Sequence, residues 1–266
     1  MDIREAINNK NKSISRHPWE LARVEIVKTF IHKIISNKDT SNINLIDIGC
    51  GDMFVLETLS SHFNFKSIFG IDTALDSNSI ELLEKQYRNT NISICNDINQ
   101  VSVNDNENSI VLLLDVVEHI KDDDVFLSNL IKYNFVNEKT SFLITVPSFQ
   151  GLYCKHDEYL LHYRRYNNSE LVKQLQGHKY KIHSNGYLFS ILLFPRIIEV
   201  IKEKIFKPPH LKNTDQTSLT QWTGNAFITK TVQVILLLDY YILYFLSKLK
   251  IKLPGLSNYV ICKKSV

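Results

Sequence analysis

The stretch "LIDIGCGDMFVLETL", Leu45 to Leu59, decides the fold. Its aliphatic run is broken only by Asp47, as in a strand covered on both faces, and it leads through Gly-Cys-Gly into a helical pattern. Gly49 and Gly51 fall in the turn, where glycines let the backbone approach a ligand closely and present its N–H groups. The third glycine of a dinucleotide fingerprint would stand at residue 54, which is Phe54, so a nicotinamide dehydrogenase is disfavoured. A Gly-x-Gly turn is common in α/β proteins, and its meaning depends on the residues downstream.

Outward from this stretch, short apolar runs recur at Ser67–Ile71, Ile92–Cys95, Ile110–Leu114 and Phe142–Val146. Helical patterns lie between them, for example Met53–Phe63 and Asp122–Tyr133. This alternation predicts an α/β, Rossmann-like, doubly wound and mostly parallel sheet, whose ligands bind beyond the carboxyl ends of the strands. Further on, Ser169–Gln176 reads as a helix, and Tyr180–Tyr187 and Asn258–Lys263 read as strands. Residues 188–253 read as a helical insertion before the last strand: an apolar helix over Leu188–Phe206, a Pro-rich loop "KPPHLKN", and a second apolar helix over Thr231–Leu246.

The chain has 266 residues, 44% hydrophobic and 22% charged, which suits one α/β domain with a real core. A formal net charge of +3 gives no reason to expect nucleic acid. The four cysteines form no CxxC pair, so structural zinc is not expected and a reduced, cytoplasmic chain is. The polar N-terminus lacks the apolar core of a signal peptide. Thr231–Leu246 is shorter than the about 20 residues that span a bilayer and has Asp239 in its middle, so it reads as a buried or interfacial helix.

Acids succeed the strands one by one. Asp72 stands 21 residues past Gly51, where a carboxylate can accept both ribose hydroxyls. Asp97 comes after the third strand and Asp115 after the fourth. Each alone reads as a cap or turn residue. Together they form a row along one sheet edge and outline a nucleoside site.

With "DIGCG", "GID", "CNDI" and "LDVVEHI" in place, the chain resembles the class I S-adenosylmethionine (SAM)-dependent methyltransferases, which have a seven-stranded sheet. "TVPSFQGLYCKHDEYLLHYRRYNNSELVKQL" resembles the small-molecule and glycan branch that carries a HDE…HYRRY element after the fifth strand. The resemblance implies that Asp47, Gly49 and Gly51 surround the methionine part of SAM. It implies that Asp72 holds the ribose, Asp97 and Ile98 the adenine, and that Asp115 and Val116 line the cofactor near its sulfonium. It divides the chain into a helical lid segment (1–42), a SAM-binding core (43–187), the insertion (188–253) and a final core strand (254–266). The lid offers His17, Trp19 and Arg23, the last able to pair with the cofactor carboxylate and Trp19 placed toward the acceptor. One departure stands out: Met53 occupies a position where the pattern usually has a small residue. It either crowds the mouth of the turn or points into the core as the first apolar residue of the helix.

The polar stretch "KHDEYLLHYRRY", Lys155 to Tyr166, comes after the fifth strand and so falls beside the transferable methyl group. Methyl transfer from a sulfonium needs in-line approach, desolvation and often a base. His156 with Asp157 is one candidate base with its orienting carboxylate, and His162 is a second. Tyr163, Arg164 and Arg165 are candidate acceptor contacts, the arginines through a phosphate or carboxylate. A solvated helix carrying internal ion pairs is the plain alternative. His156, Asp157 and His162 have no known metal spacing, so no metal is expected.

These residues point to O-methylation of a small-molecule, glycan or lipid-linked acceptor. A quinone or other lipid acceptor is the alternative, and a non-catalytic SAM-binding partner subunit is another, motivated by Met53. Lys202, Lys204, Lys207, Lys248, Lys250 and Lys252 flank the apolar insertion, which suits a homodimer contact or peripheral attachment at the inner face of a membrane.

Overall fold

The computed structural model describes residues 16–36, 39–104, 106–206 and 222–265. The extreme N-terminal segment, Lys207 and the Pro-rich loop of the insertion lie outside the described residues.

The described chain runs α1 (Pro18–Ile35), β1 (Ile43–Ile48), α2 (Phe54–His62), β2 (Ser67–Ile71), α3 (Ser77–Tyr87), β3 (Ile92–Cys95), β4 (Asn108–Leu114), α4 (Asp123–Leu130), β5 (Ser141–Pro147), α5 (Lys155–Tyr159), α6 (Asn168–Gly177), β6 (Tyr180–Leu188), α7 (Leu193–Phe206), α8 (Ala226–Lys248) and β7 (Ser257–Lys264). The seven strands form one sheet in the order β3-β2-β1-β4-β5-β7-β6. β1 to β5 pair in parallel, and β7 inserts antiparallel between β5 and β6. The order reverses between β1 and β4, which places the topological switch point beside Gly49.

The unbroken apolar runs serve two cores at once, because successive side chains on a strand leave opposite faces. Leu45, Ile110, Leu112 and Leu143 join the core with α1, α2 and α8. Ile46, Val111, Leu113 and Ile144 join the core with α4 and α6. Ser141–Pro147 pairs residue for residue with Lys263–Ser257, so the final strand closes the sheet. All four cysteines are buried and unpaired.

The insertion differs from its sequence reading. Its first helix begins at Leu193 rather than Leu188, because Leu188 still pairs with Ser257 and Phe189 turns at φ 60°. Its second helix is 23 residues, not sixteen, and Asn225 caps its start by accepting from Ile228 N–H. α8 lies along α1: the Phe30 and Tyr240 rings meet edge-on at 5.7 Å, and Lys33 Nζ donates to the Tyr240 hydroxyl at 3.0 Å. Asp239 faces the body of the protein, where it accepts from the N–H of Ser190 at 2.8 Å and of Ile191 at 3.3 Å. That carboxylate therefore leaves the opposite face of α8 uncharged.

Candidate active site

The turn after β1 is built from left-handed backbone: Gly49 has φ 79°, Gly51 φ 55° and Met53 φ 66°. A Cβ on Gly49 would lie 2.6 Å from Cγ2 of Val116, so glycine is needed there for close packing as well as for its dihedral. Met53 is 2% exposed and packs with the core under α2, so its side chain points away from the mouth of the turn. A non-glycine residue in this conformation costs about 1–2 kcal/mol, and burial of the thioether side chain offsets it.

The acids gather along the strand ends. Asp72 accepts from Gly51 N–H at 3.0 Å and from Ala74 N–H at 2.9 Å, bridging the glycine turn to β2. Asp97 caps a short turn by accepting from Asn99 N–H at 2.9 Å and stays exposed, with the partly buried Ile98 beside it. Asp115 sits at φ 58°, accepts from Thr145 Oγ1 at 3.0 Å and pairs with Arg23 at 3.0 Å. Arg23 is thus committed to Asp115, and it also stacks over Trp19 at 5.1 Å. Trp19 meets Phe189 at 6.1 Å, which ties α1 to the start of the insertion. His17 caps α1: its Nδ1 accepts from Trp19 N–H at 3.1 Å, and its ring meets Trp222 edge-on at 5.0 Å.

Asp47 is 2% exposed, and its Oδ1 has no hydrogen-bond partner. Burial pushes its carboxyl up to about 7; Arg23 pulls it down and Asp72 pushes it up further. A buried acceptor without a donor, beside a glycine turn and a row of carboxylates, suits a cationic ligand that brings its own N–H groups.

The acceptor segment is not one long helix. α5 ends at Tyr159 and Leu161 turns back at φ 61°, so His162 and Tyr166 do not share a helix face. This reversal brings His162 onto Asp157: Nδ1 and Oδ1 are 2.9 Å apart. Asp157 is fully buried and also receives Arg165 Nε at 2.8 Å, Arg196 at 2.7 Å and the Cys154 N–H at 3.0 Å. Burial alone would raise its carboxyl, but His162 and the two guanidinium groups hold it well below the usual range. His156 is exposed, and Asp157 is turned to His162 instead.

Neither arginine of the segment is free for an acceptor. Arg164 pairs with Asp123 and donates to the Lys121 carbonyl at 2.5 Å, and Arg165 is buried on Asp157. Tyr163 remains 53% exposed, so of the three it alone presents its side chain outward.

Four residues not singled out from the sequence complete the site. Thr145 links Asp115 to β5. Arg196 reaches Asp157 from α7, and no spacing signals it. Glu118 and His119 lie three and four residues past Asp115. Glu118 is fully buried with both carboxylate oxygens lacking a hydrogen bond; burial, then the charge of Asp115, drives its carboxyl well above the usual range. Its carbonyl accepts Tyr163 N–H at 2.8 Å, which fastens the segment after β4 to the acceptor segment.

Residues 46–133 match the family described as "Methyltransferase domain", Methyltransf_11. This stretch resembles a methyltransferase domain over about a third of the chain. It covers the glycine turn, the acids after β2 to β4 and α4, while the Asp157 cluster lies beyond it. Ribosomal RNA small subunit methyltransferase A of Mesomycoplasma hyopneumoniae is 37% identical over 65 residues, 24% of this chain and 24% of that protein. The match therefore spans about a quarter of that relative's length. Among solved structures, the plantazolicin methyltransferase BamL, in complex with a triazolic desmethylPZN analogue and SAH, has a TM-score of 0.53 at 16% identity, covering 99% of this chain and 90% of its own. Haemonchus contortus phosphoethanolamine N-methyltransferase 2, in complex with S-adenosyl-L-methionine, has a TM-score of 0.53 at 17% identity, covering 90% of this chain and 52% of its own. These similarities carry the class I methyltransferase fold, and the two solved neighbours hold S-adenosyl-L-methionine and SAH.

Proposed function

We propose that this protein transfers the methyl group of SAM to an oxygen of a lipid-linked, sugar-containing acceptor at a membrane surface. The observation that carries the reading is the Asp157–His162 pair, held beside the strand-end carboxylates of the methyltransferase core. In this reading Asp47, Gly49 and Gly51 hold the methionine part of SAM, Asp72 the ribose, Asp97 and Ile98 the adenine, and Asp115 and Val116 the region of the sulfonium. Bound SAM supplies an electrophilic methyl on a cationic sulfur, and the row of Asp47, Asp72 and Asp115 suits that positive charge better than it suits the neutral thioether product.

Asp157 accepts the His162 Nδ1–H and so presents Nε2, the basic nitrogen, to an acceptor hydroxyl. His162 takes the hydroxyl proton as the oxygen attacks. Arg165 and Arg196 hold Asp157 ionised, so the imidazole is stabilised as it becomes charged. The non-catalytic reading loses its motive, because Met53 lies in the core and not at the mouth of the turn.

The acceptor class is argued from the insertion. α7 exposes Phe194, Ile197, Ile201 and Ile205, and α8 exposes Leu238, Ile242 and Phe245. α8 is long and apolar enough to cross a membrane, yet 22% of its apolar window is buried and it lies along α1. Lys202, Lys204, Lys248, Lys250 and Lys252 border these faces, and cations beside apolar surface match an anionic bilayer interface. α7 carries Arg196, so the docking helix is joined directly to Asp157. A decisive assay supplies methyl-labelled SAM with lipid-linked saccharides in anionic vesicles. Label should enter the glycolipid fraction and be lost in His162→Ala; transfer to quinones alone would replace this acceptor assignment.

A further inference from the structure

The groups beyond Asp115 form a donor set that proton transfer alone does not use. One ligand atom each from Glu118, His119 and His162 lies within 4.8 Å of the other two. The two imidazoles meet nearly at right angles, with ring centroids 4.6 Å apart. Two independent features accompany the cluster. Glu118 is fully buried, and both of its oxygens lack a hydrogen-bond partner, an arrangement that native interiors avoid unless something else satisfies the group. His162 gives its Nδ1–H to Asp157, the outer-shell carboxylate contact that orients histidines bound to metals through Nε2.

We propose that Glu118, His119 and His162 bind a divalent first-row transition cation on the acceptor side of the cofactor site. Two imidazoles and one carboxylate suit zinc, iron, cobalt or manganese, and three protein donors leave positions open for an acceptor oxygen. Donors bound at about 2.0–2.2 Å stand roughly 3–3.5 Å apart, so the cluster closes by about an ångström on loading. The anchors for that closure are present: Tyr163 N–H holds the Glu118 carbonyl, and Asp157 holds His162.

The chemical role rests on the methyl-transfer reading; the site itself does not. With the cation on His162 Nε2, the imidazole would be a ligand, and the cation would take over the activation of the hydroxyl that the metal-free protein leaves to His162 as base. The acceptor hydroxyl binds the cation through oxygen and loses its proton to solvent water. The resulting alkoxide forms the new C–O bond as the S–C bond breaks, and the electron pair of that bond stays on sulfur.

The test uses the purified full chain, stripped with chelator and titrated with Co²⁺, monitored by visible absorption and calorimetry. One Co²⁺ should bind per chain with micromolar affinity, and Glu118→Gln and His162→Ala should each weaken it at least tenfold. Glu118→Gln should fold as well as the parent, since among the described residues no hydrogen bond is made to either carboxylate oxygen. Anomalous diffraction from a cobalt-soaked wild-type crystal, which needs no variant, should show a peak among these three side chains. No binding at 1 mM, a peak elsewhere, or affinity unchanged in both variants overturns the site. SAM titration separates the two ideas: SAM binding with undiminished label transfer after chelation keeps methyl transfer and removes the cation's chemical role, while no SAM binding by either the stripped or the Co²⁺-loaded protein removes methyl transfer whatever the cation does.

Discussion

Asp157 Oδ1 lies 2.9 Å from His162 Nδ1, five residues further along a chain that has stopped being helical between them. The same carboxylate receives Arg165 from its own segment and Arg196 from the insertion. One buried charge thus joins the segment after β5, the candidate base and α7.

Asp157→Asn should leave the buried Arg165 without its counter-charge and Arg196 with Glu199 alone, and destabilise the protein by about 3–5 kcal/mol. Because the folded carboxyl titrates below its unfolded value, its stabilisation is complete above the unfolded pKa of about 4 and is lost as pH falls through the lower folded value. Denaturant melts from pH 7 down to 2 check both statements: the variant should show a shallower acid limb than the parent.

Cofactor affinity should depend on pH through Asp47. With its carboxyl near 7 in the free protein, binding that requires the ionised form must release a proton below that value. The SAM dissociation constant should fall by up to about tenfold per unit as pH rises from 5.5 toward 7. Calorimetry in buffers of different ionisation enthalpy counts the proton released. In Asp47→Asn the slope should flatten; an equally steep slope would assign the proton to another group.

Met53→Gly relieves the left-handed strain but removes a buried side chain. Burial loss of about 2–5 kcal/mol exceeds the about 1–2 kcal/mol of strain, so the variant should be less stable. SAM affinity should stay within twofold, since the side chain faces the core. Tighter binding would show that Met53 crowds the site.

Leu238→Lys with Ile242→Glu places charges on the outer face of α8 without touching its contact with α1. The thermal midpoint should stay within about 2 °C, as expected for exposed positions. Flotation with anionic liposomes should be lost. A parent protein that ignores such liposomes, monomeric or dimeric by light scattering, would remove the membrane part of the reading.

The sheet was legible because its central strands bury both faces and therefore run largely apolar, from Leu45 to Val146. The strand-end acids were legible because a parallel sheet puts every loop of one kind at one edge. The pairing of the polar segment was not. A five-residue helix and a left-handed Leu161 reverse the chain, so Asp157 meets His162 and not its neighbour His156. The partners of Arg164 and Arg165 sit 41 and eight residues away, and Arg196 reaches in from 39 residues beyond Asp157. Such contacts are set by tertiary packing and carry no periodic signature. Asp239 shows the same limit: an acid in an apolar run reads as a barrier to lipid contact, yet it caps the turn at Ser190 on the inner face.

Titration of the full chain with SAM and S-adenosylhomocysteine by calorimetry at pH 7.5 tests the central claim most directly. One molecule of either ligand should bind per chain with micromolar affinity. Asp72→Ala, which removes the proposed acceptor for the ribose hydroxyls, should weaken that by about 1–3 kcal/mol. No binding of either ligand up to millimolar concentration by a folded protein would contradict the methyltransferase account.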